Sequence, residues 1–192
     1  MKTQKKKTIR ITVMIFTFLA LLITVSCNNK KDKTKTENPT SIIPNEDLHT
    51  ATFLGNIESL EQHVKARSDL NKKNEYGTTP LSVAATFGKT EVAKFLIYSG
   101  ADINLPSDDG STPLHTAAFF CRTDIVKALL EKGVDKSIKN AYGSTALETV
   151  LVPFNDVQFI YDQIGKDLGP MGLKLDYDFL KKTRPEIAEL LK

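Results

Sequence analysis

An all-α solenoid of about three to four stacked helix–turn–helix units is the fold that this chain predicts, and three observations predict it. Residues recur at a spacing of 33: Leu48, Leu81, Leu114 and Leu147 form one column, Gly77, Gly110 and Gly143 another, and Ala51, Ala84 and Ala117 a third. Thr79-Pro80 and Thr112-Pro113 open apolar-periodic segments, as a helix N-cap precedes a proline in the first turn. Gly100 and Gly133 close the segments that follow, where a helix must end in a left-handed conformation. A period near 33 with helix starts and stops inside it is one supersecondary unit stacked on copies of itself.

The elements follow in order. Unit one spans 45–77, unit two 78–110 and unit three 111–143. Within units two and three the first helix carries Leu81, Ala84 and Ala85 or Leu114, Ala117 and Ala118, whose small alanines let neighbouring helices approach closely. The second helix shows Val92, Phe95 and Leu96 or Ile125, Ala128, Leu129 and Leu130 on its apolar stripe. Glu75-Tyr76-Gly77 and Asp108-Asp109-Gly110 mark the finger turns to the next unit. One unit cannot bury its apolar face alone, so stability sums over units and interfaces.

The edges depart from the pattern. Unit one lacks Thr-Pro, has Arg67 in the glycine column, and carries Gln62 and His63 where later units have Phe95 and Leu96. A polar outer face suits an N-terminal cap. Ser82 stands in the His115 column, and Cys121 in the Gly88 column. A fourth unit starts at Gly143 and loses the pattern after Val152, so the repeats are assigned to 45–152 and a divergent C-terminal extension to 153–192. Two segments compete to supply its second helix, residues 155–161 and residues 185–191. The latter is the closer match to Thr123–Leu129 and implies an insertion of about 30 residues within the repeat.

Units two and three, with Gly-x-Thr-Pro-Leu before the first helix, His115 following in unit three, and Gly100-Ala101-Asp102-Ile103-Asn104 after the second, resemble the ankyrin repeat. The resemblance implies a helical solenoid that binds a protein partner through its finger turns and the exposed positions of its first helices. Mapped onto this chain, the candidate partner-binding residues are Phe53 and Leu54, Thr86 and Phe87, Phe119 and Phe120 on the helices, with Glu75, Tyr76, Asp108, Asp109 and Tyr142 on the fingers. Val152 and Pro153 form the fourth helical row. An apolar strip with aromatic anchors marks an interaction site. Two other readings stay open: Leu54, Phe87 and Phe120 pack beneath the fingers as core, or the segment after Val152 folds back over the strip.

The N-terminus carries its own message. Lys2, Lys5, Lys6, Lys7 and Arg10 precede an apolar run over residues 11–25 that is too short for a comfortable membrane span and ends at Cys27. Residues 1–27 read as a secretory signal, and the cysteine at its end resembles the lipobox of bacterial lipoproteins. That resemblance implies lipidation of Cys27, export to the cell envelope and anchoring to the membrane, on a periplasmic or surface face. Residues 28–44 are polar and read as a flexible tether. Removing the signal takes away five of the 26 basic residues and none of the 23 acidic ones, which leaves 21 against 23. The basic balance thus belongs to targeting, and nucleic acid is not an expected partner. Cys121 then has no partner cysteine, which excludes a disulfide framework.

No motif for catalysis or metal binding is present. His49, His63 and His115 fall in separate units, and Asp102, Asn104, Asp108 and Asp109 do not have the spacing of a calcium loop. The chain is therefore expected to be a monomeric, non-catalytic interaction module with no cofactor. The competing roles are an immunity protein that neutralises a secreted toxin or lipolytic effector, a scaffold for an envelope complex, and, remotely, a hydrolase acting through the C-terminal extension.

Overall fold

The computed structural model describes residues 44–192. The signal, Cys27 and the tether up to residue 43 lie outside the described residues. The described segments are helical, with no strand among them. Four antiparallel helix pairs follow one another: α1 (Leu48–Leu54) and α2 (Ile57–Lys65), α3 (Pro80–Thr86) and α4 (Thr90–Tyr98), α5 (Pro113–Phe119) and α6 (Thr123–Glu131), and α7 (Ala146–Leu151) with α9 (Tyr177–Leu191). Between the members of the last pair lie α8 (Phe154–Leu168) and a 3-10 turn over Gly169–Met171.

The first helices of units two to four begin where side-chain oxygens replace missing backbone acceptors. Thr79, Thr112 and Thr145 accept from the amides of Ser82, His115 and Glu148, and the last two complete capping boxes. First helices pass to second helices through a single left-handed residue. Gly55 and Gly88 fill that place in units one and two, but Cys121 takes it in unit three at a φ of 55°. Arg67 likewise occupies the glycine column after α2 with a φ of 54°. A side chain in that region costs about 1–2 kcal/mol.

First helices stack through their alanines. Ala51, Ala84 and Ala117 are fully buried, as are Ala85 and Ala118. Leu81 and Leu114 beside them, and Leu96, Ile125 and Leu129 from the second helices, extend one continuous core. At roughly 25 cal/mol per Å² of apolar surface, this burial dominates stability.

Polar bonds set the register between units. Asn71 Oδ1 accepts from the amide of Asp102 at 2.7 Å, and one period later Asn104 Oδ1 accepts from Asp135 at 2.9 Å. The fingers join the same way: Asp108 N donates to Gly77 O at 3.1 Å, and Ala141 N to Asp109 O at 3.0 Å. Two glycines make this approach possible. A Cβ on Gly77 would fall 2.0 Å from the Asp108 side chain, and one on Gly110 would fall 2.6 Å from Ala141 N.

Unit one differs from the expected polar outer face at one residue. His63 is buried, and its ring bonds Ser68 Oγ at 3.0 Å and Glu46 O at 2.8 Å. Gln62 Oε1 accepts from Asn45 N at 3.0 Å. These two side chains tie down the chain that enters the array.

At the other end, α9 packs on α7 and reaches α5 and α6, so it stands where a second helix belongs. Ile187, Ala188 and Leu191 are buried, which matches the buried Ile125, Val126 and Leu129 of α6. Pro185 lies inside α9 at the place where α6 begins with Thr123. Eight further residues, Tyr177–Arg184, extend the helix on the N-terminal side of this proline.

Candidate partner-binding face

The candidate residues lie on the C-terminal turns of the first helices and on the finger tips, and the structure treats the four helical rows differently. In row one, Leu54 is 58 % exposed and Phe53 is half-buried. The Phe53 ring meets the Phe87 ring edge-on at 4.8 Å, so rows one and two are continuous. Thr86 and Phe87 are also half-buried, with Thr86 donating to Ser82 O at 3.0 Å.

Row three corrects the sequence expectation. Phe120 is 6 % exposed, its ring lies edge-on to Phe119 at 5.1 Å, and the Arg122 guanidinium sits 5.9 Å from its centroid. Phe120 is core and presents no surface to a partner. Its neighbour Phe119 is covered by Tyr161 of α8, stacked at 4.3 Å with an interplanar angle of 17°. Residues after Val152 thus cover the strip at Phe119.

The cover is fixed by a buried polar network. The Tyr161 hydroxyl donates to Phe119 O at 2.6 Å and accepts from Arg184 Nη1 at 2.9 Å. Arg184 is 3 % exposed, and its Nη2 donates to Thr149 O at 2.9 Å and to Val152 O at 2.7 Å. It satisfies carbonyls at the C-terminus of α7, where a cation is also favoured by the helix dipole. Burial pushes the Tyr161 phenol up to about 12, so it stays protonated and can donate. Sequence reasoning missed this network. The available signal was Arg184 before Pro185, which repeats Arg122 before Thr123 in the better-aligned frame. Arg122 also bonds first-helix carbonyls, those of Ala85 and Thr86.

The fingers are exposed and ordered from within. Asn74 Oδ1 accepts from the amides of Tyr76 and Thr78, and Asn140 Oδ1 repeats this for Tyr142 and Ser144. Tyr76 and Tyr142 are 48 % and 76 % exposed. Glu75, beside Tyr76, accepts from its phenol and raises its pKa. Asp108 pairs with Lys73 at 2.9 Å, and Asp109 Oδ1 accepts from Ser111 N at 2.9 Å. Asp102 is committed in the same way, accepting from Asn104 N. Among the described residues, no group of three or more His, Cys, Asp or Glu is placed to hold a metal ion.

The histidines are structural ties. His115 Nδ1 accepts from Thr112 N at 3.2 Å, and its Nε2 donates to Ser144 O at 2.9 Å, which links unit three to the next finger. Burial lowers its pKa, in keeping with a neutral ring. His49 Nε2 bonds Lys72 O at 2.7 Å in unit one. Cys121 is buried beneath Leu180 O, and burial pushes its thiol up to about 11, so it is unreactive as a nucleophile.

Comparison with known proteins agrees with this geometry. Residues 48–140 match the family model of ankyrin repeats in three copies. Protein phosphatase 1 regulatory subunit 27 of Homo sapiens and that of Mus musculus are each 39 % identical over 50 residues, which is 26 % of this chain and 32 % of the relative. This chain thus spans about a third of the length of these relatives. The crystal structure of the ankyrin repeat domain of Bcl-3, described as a unique member of the IkappaB protein family, superposes with a TM-score of 0.52 at 26 % identity, covering 53 % of this chain and 45 % of that one.

Proposed function

We propose that the three ankyrin repeats of residues 48–140, closed by the helix pair α7 and α9, form a non-catalytic module that binds a protein partner through rows one and two and the finger tips. The observation that carries this is a set of apolar and aromatic side chains, half-buried or exposed, on a backbone already fixed. The Phe53 and Phe87 rings meet edge-on, Leu54 at the end of α1 is exposed, and Tyr76 and Tyr142 project from turns locked by Asn74 and Asn140. A rigid face loses little conformational entropy on binding, so modest area yields useful affinity. Aromatic side chains are favoured interface anchors. The regulatory-subunit relative supports a role in binding rather than in chemistry.

We further propose that the module works at a bacterial cell envelope, exported by residues 1–27 and held through lipid on Cys27 with residues 28–44 as tether. The support is the basic, apolar and cysteine-terminated order of the N-terminus. Metabolic labelling with a fatty acid tests it: label should be retained by the wild type and absent from Cys27→Ser.

The binding reading is tested by affinity capture from an extract of the source cells, comparing the wild type with a Leu54→Asp/Tyr142→Ser variant. Both substituted side chains are exposed, so melting temperatures should agree. A stoichiometric protein held by the wild type and lost by the variant supports the reading. Equal capture by both contradicts it.

A further inference from the structure

Row three is already occupied, and the occupant belongs to the chain itself. α8 buries Val157 and Tyr161 and packs Phe154, Ile164 and Leu168 against the core, a stripe at spacings of three and four along one side of a helix. Its anchor is Tyr161, which is fully buried. The ring stacks on Phe119, and the hydroxyl donates to Phe119 O at 2.6 Å. That carbonyl stands at the end of α5, where the helix supplies no amide to bond it.

Row one repeats the receiving half of this contact with nothing seated on it. Phe53 stands two periods of 33 before Phe119. Each ring meets a phenylalanine of the next column edge-on, Phe87 at 4.8 Å and 90° in one case, Phe120 at 5.1 Å and 88° in the other. Among the described residues no ring stacks on Phe53, and no group donates to Phe53 O, a carbonyl in the last turn of α1. Row two differs: Thr86 holds this column, and its carbonyl accepts from Arg122 Nη2 at 3.0 Å.

The space between the two rows admits a second helix. First helices packed against one another lie about 8–10 Å apart, so rows one and three are separated by roughly 16–20 Å, and a helix with its side chains is about 10–12 Å across. A helix over rows one and two would therefore lie beside α8 without displacing it.

We infer that the protein partner presents an amphipathic helix with a tyrosine on its apolar stripe, the ring stacked on Phe53 and the hydroxyl donating to Phe53 O. An aliphatic side chain one turn away would rest on Leu54 and Phe87. The inference rests on the reading that this face binds a protein, and it names what the partner brings to row one. A helix laid by its apolar stripe into a groove is a recurrent recognition mode, and α8 shows this face receiving one.

The test uses the full chain and a fluorescein-labelled peptide with the sequence of residues 154–168, read by fluorescence anisotropy. A hydrocarbon staple across positions 159 and 163, which are exposed in α8, keeps it helical. The peptide should bind saturably, and its Tyr161→Phe twin about fivefold more weakly, the worth of one hydrogen bond. Phe53→Leu in the protein keeps an aliphatic side chain against Phe87 and should weaken the tyrosine peptide and erase the difference between the twins. Leu54→Asp, at an exposed position, should weaken both, with melting curves unchanged. The twin comparison on the wild type needs no variant of the protein, so it stands even if Phe53→Leu melts early. Equal affinity for the twins, no binding of either, or binding indifferent to both protein variants overturns the inference. So does faster hydrogen exchange in α8 on adding the peptide, because the probe would then have replaced α8 on row three. Concentration-dependent self-association that Leu54→Asp removes overturns it too, with a second copy of the chain as the occupant. Failure here with capture still sensitive to Leu54→Asp/Tyr142→Ser would sink the tyrosine anchor and leave the binding face standing.

Discussion

At the scale of residues, two positions carry side chains where the repeat has glycine. Arg67 and Cys121 both adopt positive φ, but their surroundings differ. Arg67 is exposed, so nothing offsets its strain, and Arg67→Gly should stabilise the chain by about 1 kcal/mol in urea unfolding. Cys121 is buried against α9, and there the packing of the sulfur opposes the gain. His115 gives a pH dependence with a definite sign. Its folded pKa lies below the ordinary value near 6.5, because burial disfavours the charged ring. The folded state then binds fewer protons than the unfolded one. The contribution of His115 is complete above about pH 6.5 and is lost as pH falls through the depressed folded value. The stability gap between the wild type and His115→Gln should therefore shrink from pH 8 to pH 5.

At the scale of elements, the finger stack separates two effects that usually travel together. Gly110 and Gly143 share nearly the same φ, 76° and 78°. A Cβ at Gly110 strikes the backbone of Ala141, whereas a Cβ at Gly143 meets nothing within 4 Å. Gly143→Ala should cost only the conformational term, about 1 kcal/mol, and Gly110→Ala clearly more, because the fingers must separate. The α8 cover gives a second comparison. Tyr161→Phe keeps the ring stacked on Phe119 but removes the hydroxyl between Phe119 O and Arg184. An unfolding loss of about 1–3 kcal/mol is expected, with faster hydrogen exchange in α8.

At the scale of the whole molecule, the array was legible because its physics repeats. The 33-residue columns, the Thr-Pro helix starts and the glycine stops each recur, so several residues vote for every unit. In the interrupted fourth unit Pro185–Leu191 repeats the pattern of Thr123–Leu129, and α9, which carries it, packs on α7. The candidate face was legible only in part. Leu54 and Phe120 belong to one sequence column, yet Leu54 is exposed at the free end and Phe120 is buried. Phe120 lies against Phe119 and Arg122 within unit three, and Phe119 is covered in turn by Tyr161 of the inserted α8, which occurs once and so has no period to reveal it.

The claim at the centre is a preformed face on rows one and two that engages a partner while α8 stays in place. Hydrogen–deuterium exchange of the chain with and without its captured partner tests it most directly. The account predicts protection at residues 53–54, 75–76 and 86–87, with exchange in α8 unchanged. Protection confined to the second helices α4 and α6, or release of α8 on binding, would contradict it.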